Sequence, residues 1–112
     1  MKSLRDSKRR PTHPGALLRE DVLPALKMTQ TELAQLLGVS RLTVSEIINE
    51  KRAMSHTMAV RIATLLNTTA ESWLLMQQAV DLWEVRQDSA ALDTVKPLSA
   101  SRLAGLSMEV ET

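Results

Sequence analysis

The chain reads as an all-α protein, a compact bundle of about five helices, and three observations lead there. Leu, Ala, Met, Gln and Glu are plentiful while Gly is held to 3 and Pro to 4, a composition that favours helix. Apolar residues recur three and four apart over most of the length, and no segment alternates as a strand does. Helix-start signals stand at the head of successive apolar runs.

Each element can be justified in order. Residues 1–11 have no periodic apolar positions and predict a mobile arm. Pro14 suits the first turn of a helix, with Thr12 or His13 at the cap, and Leu17, Leu18, Val22 and Leu23 follow at helical spacing. Pro24 predicts an end or a kink near Leu23. Thr29-Gln30-Thr31-Glu32 is a capping box that opens a second helix with Leu33, Leu36 and Leu37 on its apolar face. Gly38 stops it, the residue that enters the left-handed conformation at no steric cost. Ser40 caps a third helix, Arg41 to about Asn49, with Val44, Ile47 and Ile48 inward. After a loop, "NEKRAMS", Ser55 caps a fourth helix carrying Met58, Ile62, Leu65 and Leu66. Thr68 or Thr69 caps a fifth, Thr68 and Glu71 having box-like spacing. That helix carries Trp73, Leu74, Met76, Val80, Leu82 and Trp83 and ends between Gln87 and Leu92. Pro97 breaks any continuation. The tail is open to three readings: disorder, a short helix or an edge strand. The expected organisation is therefore a basic arm over 1–11, a helical domain over 12–92 that includes a dimerisation helix, and a tail over 93–112.

Composition removes several functions. The chain has 112 residues, 44% of them apolar, with no Cys, Tyr or Phe, so the core is aliphatic apart from Trp73 and Trp83. Disulfides and Cys-based zinc sites are impossible. His13 and His56 stand far apart with no acidic cluster around them, so no metal and no cofactor is expected. No nucleophile motif occurs, and nothing gathers acid, base and nucleophile; an enzyme is not expected. No apolar run approaches the roughly 18 residues of a membrane span, and the basic start leads into no apolar signal segment. A cytoplasmic protein is the expectation. Net charge is only +1, but its distribution is uneven. Residues 1–10 hold five Lys/Arg against one Asp (+4), and residues 11–112 hold nine against twelve Asp/Glu (−3). Such an arm fits a nucleic acid or an acidic partner, or is simply a solvated terminus.

The window Gln30–Asn49 carries the function. A helix-turn-helix needs a small residue where its first helix faces its second, and Ala34 stands there. It needs a positive-φ residue at the corner, and Gly38 follows four positions later. It needs apolar residues pointing inward from the second helix, and Val44 and Ile47 share one face with Val39 closing the corner. The outer face of that second helix can then enter a DNA major groove about 12 Å wide; the other reading is an ordinary helical hairpin whose Ala34 and Gly38 only ease packing. Ser40, Arg41, Leu42, Thr43, Ser45, Glu46 and Asn49 lie on or beside that face. Arg41 can bond bidentately to guanine, and Thr43 and Ser45 can bond to bases or phosphates. Glu46 either accepts from cytosine or pairs with a basic neighbour. Leu42 either touches a thymine methyl or packs laterally. Lys51 and Arg52 are expected on phosphates.

This window resembles the helix-turn-helix of the phage-repressor-like superfamily, the XRE or Cro/C1 type. "HPGALLREDVLPAL" before it, "AVRIATLL" after it and "ESWLLMQQAVDLW" near the end are similar to the HigA family of antitoxins, over roughly His13 to Trp83. The resemblance implies a phosphate contact for Gln30. It implies a transcriptional autorepressor that also binds and neutralises a HigB-type, mRNA-cleaving toxin, through either the arm or the folded body. A stand-alone regulator with no toxin partner is the alternative, and a helical adaptor that binds only protein is a third reading. One short recognition helix reads few base pairs, so a homodimer on a palindromic operator is expected, with Trp73, Met76, Val80 and Trp83 of the fifth helix as its interface. One tryptophan can equally be core, or both can be.

Overall fold

The computed structural model describes residues 9–106. Most of the basic arm and the last six residues of the tail, about which the sequence raises expectations, lie outside the described residues. Among the described residues all regular structure is helical.

The first helical stretch runs as α1 (Pro14–Leu17), a π-helical turn (Leu18–Val22) and α2 (Leu23–Leu26) without interruption. The expected break at Pro24 is therefore displaced. In an α-helix the proline ring would collide with the carbonyl four residues back. Here the turn before it is widened, and the Leu23 N–H bonds to the Leu18 carbonyl five residues back. That widening accommodates the ring. The helix stops three residues later, where Lys27 adopts left-handed φ of 52° and the Met28 N–H bonds to the Leu23 carbonyl.

Next come α3 (Gln30–Leu37), α4 (Arg41–Ile48), α5 (His56–Leu66) and α6 (Ala70–Gln87). Their caps are largely those the sequence announces. Thr29 Oγ1 accepts from the Glu32 N–H at 3.1 Å, Ser40 Oγ from Thr43 N–H at 3.1 Å and Ser55 Oγ from Met58 N–H at 3.1 Å. For α6 the cap is Thr69, whose Oγ1 accepts from the Ser72 N–H at 3.2 Å. Thr68 is not the head of a capping box; its hydroxyl accepts from the Trp73 indole N–H at 2.8 Å. Two short helices follow, α7 (Ser89–Asp93) and α8 (Ala100–Leu103), so the described part of the tail takes the short-helix option.

The core is one aliphatic cluster built around Leu18, Leu33, Val44, Ile48, Ile62 and Trp73. α3 packs on α4, α5 on both α3 and α6, and α1 on α4 and α6. The recognition pair α3 and α4 is thus held from behind by the other helices. The loop after α4 is held too. Gln77, buried in the apolar stripe of α6 between Trp73 and Val80, accepts from the Met54 N–H at 2.8 Å and donates to Asp81 at 3.0 Å.

Candidate nucleic-acid interface

The corner between α3 and α4 is built as the sequence requires. Ala34 is 3% exposed, which lets the helices approach closely. Gly38 sits at φ 70°, and the Val39 N–H closes back onto the Ala34 carbonyl at 3.0 Å. Arg61 of α5 adds a contact that the sequence did not announce. Its guanidinium donates to the Leu37 carbonyl at 2.8 Å and satisfies the end of α3.

Val44, Ile47 and Ile48 of α4 are each at most 2% exposed. The opposite side is open: Arg41 and Leu42 are exposed and Thr43, Ser45 and Glu46 half-buried. Arg41, Leu42 and Ser45 line one shallow concavity of about 310 Å³. Ser40 and Thr43 hydroxyls bond to each other at 2.9 Å beside it. The Asn49 amide folds back, donating to the Ser45 carbonyl at 2.9 Å and to the Ser45 hydroxyl at 3.3 Å. Gln30 is half-buried at the N-terminus of α3, where unpaired N–H groups attract anions.

The acids on this side are neutralised within the molecule. Glu46 pairs with Arg52 at 2.6 Å, and not with Arg41. Glu50 pairs with Arg10 at 2.8 Å and Arg19 at 3.3 Å, and the hydrogen bond from Arg10 does most to hold its carboxyl below the ordinary 4.5. Arg41 and Lys51 enter no ion pair among the described residues, so their charges remain for phosphates or bases.

A second layer fixes the far end of α4. The Arg19 guanidinium donates to the Ile48 carbonyl at 2.7 Å. Arg10 also reaches Glu84 of α6 at 3.3 Å, tying the root of the arm to two elements. Gly15 presses its backbone against α4 so closely that a Cβ there would stand 1.8 Å from the Ile47 carbonyl oxygen. His13, 3% exposed, caps α1: its Nδ1 accepts from the Gly15 N–H at 2.9 Å. Burial pushes this imidazole below its ordinary 6.5, against the pull of Glu50. Gly15, Arg19 and Gln77 are positioning residues that pattern reading passed over. Two of them carried a signal: a Gly in the first turn of a helix, and a Gln inside the Trp73–Val80 stripe; Arg19 carried none.

The residues expected at a dimer interface separate. Trp73 and Val80 are 4% and 1% exposed in the single chain, which leaves them no surface for a second copy. Their apolar bulk is already inside the monomer core. Met76 and Trp83 are half-buried, while Leu75, Leu82 and Val85 stand exposed on the same helix. No group of three metal-ligating side chains occurs among the described residues, and no described helix is long and apolar enough to cross a membrane.

Comparison with known proteins places this architecture. Residues 18–73 match the helix-turn-helix family HTH_3. The Escherichia coli K12 protein described as the uncharacterized HTH-type transcriptional regulator YbaQ is 42% identical over 85 residues, covering 76% of this chain and 75% of its own. Antitoxin HigA-1 of Vibrio cholerae is 40% identical over 101 residues, covering 88% and 93%. The solved structure of antitoxin GraA in complex with its operator superposes with a TM-score of 0.76 at 36% identity, covering 88% of this chain and all of that one.

Proposed function

The chain belongs to the HigA family of antitoxins, with an XRE-type helix-turn-helix of the HTH_3 family, and from that premise we propose how it works. It binds operator DNA sequence-specifically, represses its own transcription and binds and neutralises a HigB-type toxin that cleaves mRNA. The observation that carries the DNA-binding half is the division of α4. Its apolar side is wholly buried, and Arg41, Leu42, Thr43 and Ser45 stand outward from a helix seated on α1 and α3. Helix-turn-helix readers use the N-terminal residues of such a helix on base edges.

Reading and holding are separate tasks. Arg41 and Ser45 supply donors for base edges, and Glu46, with one carboxylate oxygen held by Arg52, has only its other oxygen to accept with. Gln30, the N-termini of α3 and α4 and Lys51 supply phosphate contacts, doubled in a homodimer on a palindromic site. Arg52 reaches phosphate only by sharing itself with Glu46. So few free cations on this face, among the described residues, favour low affinity for random DNA and a shallow salt dependence. The toxin-binding half rests on family membership and requires no catalysis by this chain.

A gel shift against the DNA upstream of the gene tests the reading. Arg41→Ala is expected to lose about 1–3 kcal/mol on the operator and relax specificity at one position, while Lys51→Ala weakens all sequences alike. Equal affinity of the wild type for operator and random DNA would refute it. The alternative reading is a stand-alone regulator without a toxin partner. Pull-down of the co-expressed neighbouring gene product separates the two readings.

A further inference from the structure

The concavity on α4 has a definite chemistry. Arg41 offers only donors. Ser45 accepts from the Asn49 amide at 3.3 Å, and its own hydrogen meets no acceptor among the described residues. By contrast the Thr64 hydroxyl, on another helix, is turned back onto the Val60 carbonyl at 2.8 Å. The Ser45 hydroxyl is therefore free to donate outward, with one lone pair also left. Leu42 completes the lining, and it is 67% exposed. Its side chain is not packed laterally against the fold, although it stands on the outer face of the DNA-reading helix. Leu42 and Ser45 are three residues apart, and Arg41 and Ser45 four, so all three face one patch.

Two donors and one apolar group select among base edges. Cytosine and adenine present amino donors in the major groove, which Arg41 cannot satisfy, and neither carries a methyl group for Leu42. Guanine presents two acceptors, N7 and O6. Thymine presents the O4 acceptor and a 5-methyl group. We propose that the Arg41, Leu42 and Ser45 concavity reads a thymine beside a guanine in each half-site. Leu42 covers the 5-methyl group, Ser45 donates to O4 and Arg41 forks onto the guanine. This inference rests on the proposed operator binding and assigns the bases that one part of the site takes.

Replacing thymine by deoxyuridine deletes only the methyl group, so the test is chemical. Each thymine of the operator is replaced in turn, symmetrically in both half-sites, and binding is measured for the wild type and Leu42→Ala. At one position per half-site the wild type is expected to lose about fourfold in affinity per half-site, the equivalent of one buried methyl group. Leu42→Ala is expected to bind thymine and uracil there equally, and still to reject 7-deazaguanine at the adjacent pair. Because Leu42 is exposed, the variant keeps the wild-type melting temperature. Indifference of the wild type to every uracil, or an undiminished preference for thymine in Leu42→Ala, overturns the assignment while operator binding stands. A wild type that does not prefer operator over random DNA overturns the assignment together with the proposed function.

Discussion

His13 does a task that histidine seldom performs: it caps a helix through Nδ1 while buried beneath the reading unit. That bond requires the neutral ring, since a protonated imidazole has no acceptor. Burial, the largest influence, holds the folded pKa below 6.5, so the unfolded chain takes up a proton first as pH falls. The stability linked to His13 is complete above pH 6.5 and is lost as pH drops from there towards the folded value. The Arg10 and Arg19 bonds to Glu50 fail only in a lower window, below 4.5, because that carboxyl is depressed. Melting temperature is expected to fall for the wild type between pH 7 and pH 5.5. His13→Asn, which keeps a capping oxygen, should be flat over that interval, and a wild type equally flat would rule out the role. His56 is exposed and does not share this environment. At this scale the sequence was readable wherever chemistry is local. Ser40, Gly38 and Thr29 act on neighbours two to four residues away. Partners such as Arg19 and Ile48, or Arg61 and Leu37, are 29 and 24 residues apart, and no local pattern joins them.

Among the elements, the contact of α1 with α4 matters most for function. A methyl group at Gly15 meets backbone, not a yielding side chain. Gly15→Ala must push the two helices apart, and overpacking of this kind costs about 1–3 kcal/mol. Denaturant melts should show that loss. Operator affinity should fall further than in a surface variant of equal stability, because α4 itself is displaced. Normal stability and affinity in Gly15→Ala would contradict the close approach. Helix positions were legible in advance because apolar spacing and caps agreed. The passage through Pro24 was not, because a π turn leaves no mark in apolar periodicity.

For the whole molecule, the homodimer proposed above sets the next prediction. Leu75 and Leu82 are seven residues apart on one face of α6, 64% and 40% exposed, with Val85 three residues on at 52%. Trp83 is half-buried near them. We expect this surface, and not Trp73 or Val80, to line the homodimer. Leu82→Lys combined with Val85→Lys should give a monomer by light scattering and lose most operator affinity, while the melting curve of the monomer stays cooperative. A dimer unaffected by the pair would move the interface elsewhere. Spacing alone assigned all four residues to one helix, but could not say which side the monomer core takes. That depends on how α5 and α1 lie across α6.

The backbone seat at Gly15 has a consequence for changing what the protein reads. The height of α4 above the scaffold is set by main chain against main chain and by the Arg19 bond to a carbonyl. Neither depends on the identity of Arg41, Leu42 or Ser45. The outward residues can therefore be exchanged as a cassette, new letters on an unchanged typeface, with the helix still presented at the same depth.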